Sequence, residues 1–149
     1  MALEWKLVID VADPHRQAAF WAEALGYVLE DHSPQIEALL DRGVIGPEAV
    51  TEFGGRHAWR DLAAARHPDD PFDAHSGGGL GRRLLFQRVP EPKTGKNRLH
   101  IDVRAAPGER EDELARLVGL GATVVRRVTS AGGEWIILTD PEGHEFCLQ

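Results

Sequence analysis

The chain has little of several things that decide a protein's class. It carries one cysteine, Cys147, in 149 residues. A single thiol rules out an internal disulfide framework and a zinc ribbon, and it fits a reducing compartment. Bases are the minority, 17 against 24 acids for a formal charge of -7, and they do not cluster. That balance speaks against nucleic acid or an anionic membrane as the main partner, since both demand a basic patch. No apolar run approaches membrane-spanning length, and Met1-Ala2-Leu3-Glu4-Trp5-Lys6 lacks a basic stretch followed by an apolar core. Catalytic signatures are missing too. No Gly-x-Ser-x-Gly elbow, His-Glu-x-x-His pair, Walker loop or dinucleotide fingerprint occurs, and Gly77 to Gly81 has no lysine-serine or lysine-threonine behind it. The expectation is a soluble cytoplasmic protein of one domain, residues 1–149, long enough to bury about 70% of its unfolded surface.

What is present is punctuation. Trp5 to Val11 is rich in β-formers and runs into Asp13-Pro14, an N-cap acid with proline at the first helical position. The spacing of Phe20 with Ala24 and Trp21 with Leu25 predicts a helix over Pro14 to Leu25, ended by Gly26, with a strand resuming at Tyr27-Val28-Leu29. From Ser33 to Gly81 the signals are short: a helix from Ser33-Pro34 through Leu40, and another over Arg56 to Arg66 stopped by His67-Pro68. His67 to Gly81, with Ser76-Gly77-Gly78-Gly79, reads as a flexible loop, either a lid or a solvated insertion. Arg83 to Val89 is a strand, and Pro90 to Lys96 a proline-rich linker. Arg98 to Val103 reads as a strand with Arg98, His100 and Asp102 on one face. Pro107-Gly108 leads into a helix whose first turn is acidic and whose apolar face is Leu114, Leu117 and Val118, ended by Gly121. Thr123-Val124-Val125 is a strand, and Trp135 to Thr139 pairs with His144 to Leu148 across the turn Asp140-Pro141-Glu142-Gly143.

Strand-Asp-Val, helix, Leu-Gly, strands occurs twice, at Asp10-Val11 to Leu25-Gly26 and at Asp102-Val103 to Leu120-Gly121. Gly81 to Gln87 also aligns with Gly143 to Gln149. Two βαβββ modules follow, about 1–92 with an irregular helical insertion at about 33–81, and about 97–149. Packed edge to edge they would form an α+β fold, a cup-shaped, partly open eight-stranded mixed barrel with a ligand cavity.

Ala19-Phe20-Trp21-Ala22-Glu23-Ala24-Leu25-Gly26-Tyr27, Arg98 to Val103, Leu120-Gly121-Ala122 and Asp140 to Phe146 together resemble the vicinal oxygen chelate superfamily, which holds glyoxalase I, bleomycin-resistance proteins and extradiol dioxygenases, and within it the glyoxalase-like domain branch. The resemblance implies a homodimer and, in members with chemistry, a divalent metal held by histidine or glutamate on the first and last strand of each module. Those positions fall here on Lys6, Arg98, Leu85 and Cys147. Lysine and arginine are donors without a lone pair and leucine has no ligand atom, so no metal cofactor is expected. An alternative divalent-metal set is Asp10, His100, Asp102 and Glu145.

The leading expectation is therefore a binder of a small organic molecule, aromatic or cationic, in a cup walled by Asp10, Gln87, Arg98, His100, Asp102 and Trp135, without nucleic acid or membrane as partner. The competing readings are a metal-dependent lyase, isomerase or dioxygenase of the vicinal oxygen chelate type, and a metal-free acid–base enzyme with His100 and Asp102 as catalytic residues. Cys147 reads as a small buried apolar residue and Trp21 as core, while Trp5, Trp59 and Trp135 are candidates to line the cup.

Overall fold

The computed structural model describes residues 1–149, which divide into two compact units, Met1–Pro90 and Glu91–Gln149. In the first unit β1 (Leu7–Val11) leads into α1 (Pro14–Leu25) and β2 (Val28–Leu29). The entry to α1 is fixed by Asp13, whose carboxylate accepts from the backbone N–H groups of His15 at 3.2 Å and Arg16 at 3.1 Å, while Pro14 has no N–H to leave unpaired. Its exit is fixed by Gly26 at φ +64°, a left-handed conformation that costs a side-chain-bearing residue energy. After α2 (Ser33–Asp41) come a hairpin of β3 (Val50–Phe53) and β4 (Arg56–Trp59), then β5 (Leu62–Arg66) and β6 (Arg83–Arg88). The four-stranded sheet has the order β1-β6-β5-β2, with β1 and β6 parallel. α1 packs on β5 and β6, closing a core of Ala18, Phe20, Trp21, Leu84 and Phe86.

The Arg56 to Arg66 stretch corrects the sequence expectation. It forms β4 and β5, not a helix. Ala63-Ala64-Ala65 has high helix propensity, but β5 is the inner partner of both β6 and β2, and all three alanines are buried. A strand buried on both faces shows no alternation, and tertiary pairing overrides local preference. The segment that reads as an irregular insertion thus contains a central strand of the sheet. The loop after it is also ordered by its own bonds: Phe72 bridges Gly79, and Asp73 accepts from the N–H groups of His75 and Ser76.

The second unit repeats the plan. β7 (Asp102–Val103), α3 (Arg110–Leu120), β8 (Thr123–Ser130), β9 (Gly133–Thr139) and β10 (Glu145–Leu148) give a sheet of order β7-β10-β9-β8, with β7 and β10 parallel. Position for position this is the order of the first sheet, so each unit is a βαβββ module. The eight module strands form two separate four-stranded sheets and not one closed barrel. Ile136, Leu138, Phe146, Leu148 and Leu117 are buried. The β9–β10 turn is held by Asp140, whose carboxylate accepts from the N–H groups of Glu142 and His144 at 2.9 and 3.0 Å.

Two strand boundaries differ from expectation. β1 starts at Leu7 and leaves Trp5 85% exposed ahead of the strand. Arg98, Leu99 and His100 lie outside β7, because pairing with β10 begins only where the Cys147 N–H donates to the Ile101 carbonyl at 3.0 Å. No helix is long and apolar enough to cross a membrane.

Candidate functional site

Asp102 is the hub of the second unit. It stands opposite Cys147 on β10, and Cys147 stands opposite Ile137 on β9. By strand alternation Asp102, Cys147, Ile137 and Trp135 share one face, while Ile136, Leu138, Phe146 and Leu148 fill the other. The Asp102 carboxylate faces three donors. His100 Nε2 lies 3.3 Å from Oδ1, Gln149 Nε2 donates to Oδ2 at 3.1 Å, and the Cys147 thiol donates to the same carboxylate. Because Asp102 can only accept, the His100 ring nitrogen that faces it is placed to donate. His100 and Asp102 side chains are 45% and 43% exposed, so the group opens to solvent. Burial pushes the Cys147 thiol up, and the Asp102 charge pushes it further. The thiol is therefore protonated at neutral pH and is not an activated nucleophile. The ligand atoms of His100, Asp102 and Cys147 all lie within 4.8 Å of one another.

Glu145 is turned to another task. It accepts from the Asn97 N–H at 3.0 Å and from Lys93 Nζ at 3.3 Å, bonds that outweigh its partial burial and lower its carboxyl. It ties down the linker and leaves the Asp102 group to Cys147. Asp10 and Gln87 belong to the first unit, where they stand opposite each other on β1 and β6, both exposed. Arg98 is exposed in the bend before β7. A hollow of about 410 Å³ beside Pro107, Arg110 and Glu111 touches Gln149 but none of the expected site residues.

The first unit holds a denser polar cluster that sequence reasoning does not find. The Glu30 side chain is fully buried and takes Arg83 in a two-pronged contact, both bonds 2.7 Å, together with the Gly79 N–H at 2.7 Å and His32 Nε2 at 3.1 Å. Burial alone would raise the Glu30 carboxyl, but the bonds from His32, Arg83 and Gly79 hold it at about 2. His32 Nδ1 donates to the Ser76 carbonyl at 2.6 Å. Both ring nitrogens thus face groups that only accept, which requires the imidazolium form; burial opposes that form, but the Glu30 and Ser76 bonds raise His32. The only sequence signal is the run Glu30-Asp31-His32 after β2. Beside it a cavity of about 20 Å³, room for a single water, is lined by His15, Phe53, His57 and Trp59. His15 Nε2 donates to the Trp59 carbonyl at 2.8 Å and its ring stacks on Phe53.

Residues 6–149 match the family model described as glyoxalase-like domain. The chain belongs to the glyoxalase-like domain family. That places it in the vicinal oxygen chelate superfamily, and solved structures share the fold. Fosfomycin resistance protein FosX from Mesorhizobium loti is 13% identical with a TM-score of 0.59, over 100% of this chain and 91% of that one. A FosX mutant from Listeria monocytogenes, solved with Mn(II) and a dihydroxypropylphosphonic acid, is 12% identical with a TM-score of 0.60, over 100% and 90%. A glyoxalase/bleomycin resistance protein/dioxygenase family enzyme from Burkholderia phytofirmans PsJN is 13% identical with a TM-score of 0.56, over 96% and 94%. No curated sequence matches this glyoxalase-like protein.

The residues of this family member do not fit the superfamily metal. Lys6 and Arg98 supply no lone pair, and both are exposed. The ladders also correct the sequence alignment of the last strands. Asp10 is opposite Gln87 and Asp102 is opposite Cys147, so Cys147 corresponds to Gln87 and Glu145 to Leu85, two residues away from the alignment of Gly81 with Gly143. In this register the first unit offers a leucine, which has no ligand atom, or one neutral amide oxygen, and an amide taken with the cationic Lys6 and Arg98 is a poor set for a divalent cation.

Proposed function

We propose that this glyoxalase-like protein binds a small organic cation on the Asp102 face of its second unit, by direct side-chain contact and not through the superfamily's metal positions. The observation that carries this reading is the Asp102 carboxylate itself: oriented by His100 and Gln149, still solvent-accessible, and on the same face as Trp135. A carboxylate gives charge and an indole gives a flat apolar wall, the pairing that recognises an aromatic or quaternary ammonium group. An acidic chain favours the approach of such a ligand. Asp10 and Gln87 present an acceptor and an amide in the matching places of the first unit and are assigned the same kind of contact within that unit.

The test is an NMR titration of protein kept in chelator with benzyltrimethylammonium, its neutral isostere neopentylbenzene at its solubility limit, and benzoate. Shifts at the Trp135 indole, His100 and Asp102 with the cation alone, lost in Asp102→Asn, support the reading. Equal shifts with all three probes, or none with the cation, overturn it.

A further inference from the structure

We propose that His100, Asp102 and Cys147 also form a site for a thiophilic divalent cation of the zinc class, built inside the second unit alone. The three side chains bring one imidazole nitrogen, one carboxylate oxygen and one sulfur to a common point. Zinc accepts this mixed set at about 2.0–2.3 Å in a tetrahedron, which puts its ligand atoms roughly 3.5 Å apart. The present upper separation of 4.8 Å therefore closes by about 1 Å, a change within reach of His100, which lies outside the strand ladder and is half exposed. Three protein ligands leave a fourth corner open to solvent. Magnesium and calcium want six or more oxygens and find one carboxylate here, so the site selects against them.

A supporting contact is in place. Gln149 Nε2 holds Oδ2 of Asp102, which leaves Oδ1, the oxygen nearest His100, to face the ion. The protons also balance. The Cys147 thiol proton leaves to solvent as the sulfur becomes a thiolate ligand, and a neutral His100 keeps its one ring proton by shifting it to Nδ1. No electron is transferred. A bound dication reverses the local electrostatics that keep the thiol protonated in its absence. The site rests on Cys147, which the organic-cation reading does not use, and shares Asp102 with it, so the two ligands exclude each other.

Cobalt(II) titrated into tag-free protein provides the test, because the chain has one thiol and a thiolate-to-cobalt absorption in the near ultraviolet reports that thiol alone. We expect this band to saturate at one ion per chain, to be bleached by zinc, and to accompany release of about one proton near neutral pH. Cys147→Ser should abolish it. Since Cys147 is buried in β10, His100→Ala at the exposed bend is the second variant, and it should weaken binding by more than about a hundredfold, beyond what loss of a supporting contact does. Saturating cobalt without a thiolate band in wild-type protein, or wild-type affinity in His100→Ala, overturns the proposal. Neither result alters the titration with benzyltrimethylammonium, which is run in chelator.

Discussion

Glu30→Gln is the sharpest test of how the first unit is held. The substitution keeps the side chain's volume and removes its charge, leaving Arg83 and His32 as buried cations with no anion between them. The Glu30 carboxyl sits at about 2 against an ordinary 4.5. At about 1.36 kcal/mol per pH unit that difference is worth about 3 kcal/mol. The figure agrees with the 3–5 kcal/mol lost when one partner of a buried pair is removed. The sign follows from the lowered value: the stabilisation is complete above about pH 4.5 and disappears as pH falls from there towards 2. His32 is raised instead, so its share is complete below its ordinary 6.5 and is lost as pH climbs through the raised value. The cluster is therefore strongest between about pH 4.5 and 6.5. Urea unfolding followed by tryptophan emission should give a wild-type to Glu30→Gln difference of about 3 kcal/mol at pH 6, shrinking towards zero near pH 2. A difference below about 1 kcal/mol at pH 6, or the same difference at pH 6 and pH 3, would show that packing and not charge holds the cluster.

Other expectations follow from the same contacts. A Cβ at Gly79 would sit 2.8 Å from the Arg66 Cβ and 3.1 Å from a Glu30 oxygen, so Gly79→Ala should cost about 1–3 kcal/mol in urea unfolding, while Gly78→Ala, whose nearest neighbour is Ser76 Oγ at 3.3 Å, should stay within about 0.5 kcal/mol. Amide exchange of Gly79, corrected for its intrinsic base catalysis, should accelerate as pH rises through the His32 transition, and this pH step should vanish in His32→Gln. Burial, the Asp102 charge and the hydrogen bond to Asp102 all raise the Cys147 thiol, and Asp102→Asn removes the charge, so the rate of its reaction with a disulfide reagent at fixed pH should increase; an unchanged rate would sever the link between the two residues.

The signals that the chain shows locally are the ones that survive in the structure. Asp13-Pro14, Gly26, Gly121 and the Asp140 to Gly143 turn each act within a few residues, so helix and hairpin ends can be read from them directly. The repeated βαβββ order is legible because these marks recur. What is illegible depends on pairing. Leu62 to Arg66 looks helical until β2 and β6 flank it. The last-strand register looks set by Gly81 and Gly143, but those glycines serve unrelated loops. Gly143 closes the Asp140 turn, while the space beside Gly81 is filled by Asp70, which binds Arg82. The two-residue slip matters chemically, because it places Cys147 and not Glu145 beside Asp102. Glu30 meets Arg83 across 53 positions of sequence, beyond any local pattern.

Charge density and pKa perturbation alone would point to the first unit and not to the one proposed. The buried Glu30 carboxyl is strongly lowered, and a strongly shifted carboxylate in a cleft is an ordinary pointer to function. Counting hydrogen bonds reverses the choice. The two oxygens of Glu30 already take two bonds from Arg83, one from the Gly79 N–H and the contact with His32, so no lone pair is left to meet a ligand. Asp102 has donors that orient it and yet keeps exposed acceptor capacity. In the matching place of the first unit Asp10 faces Gln87 where Asp102 faces Cys147, and Val8 stands where the second unit has His100. The two modules share one strand order and differ at the positions that carry chemistry. The first has its strongest ionisable groups locked into holding a loop, and the second has a half-exposed carboxylate flanked by an imidazole and a thiol. Function is therefore proposed for the unit whose carboxylate keeps exposed acceptor capacity that the fold does not use.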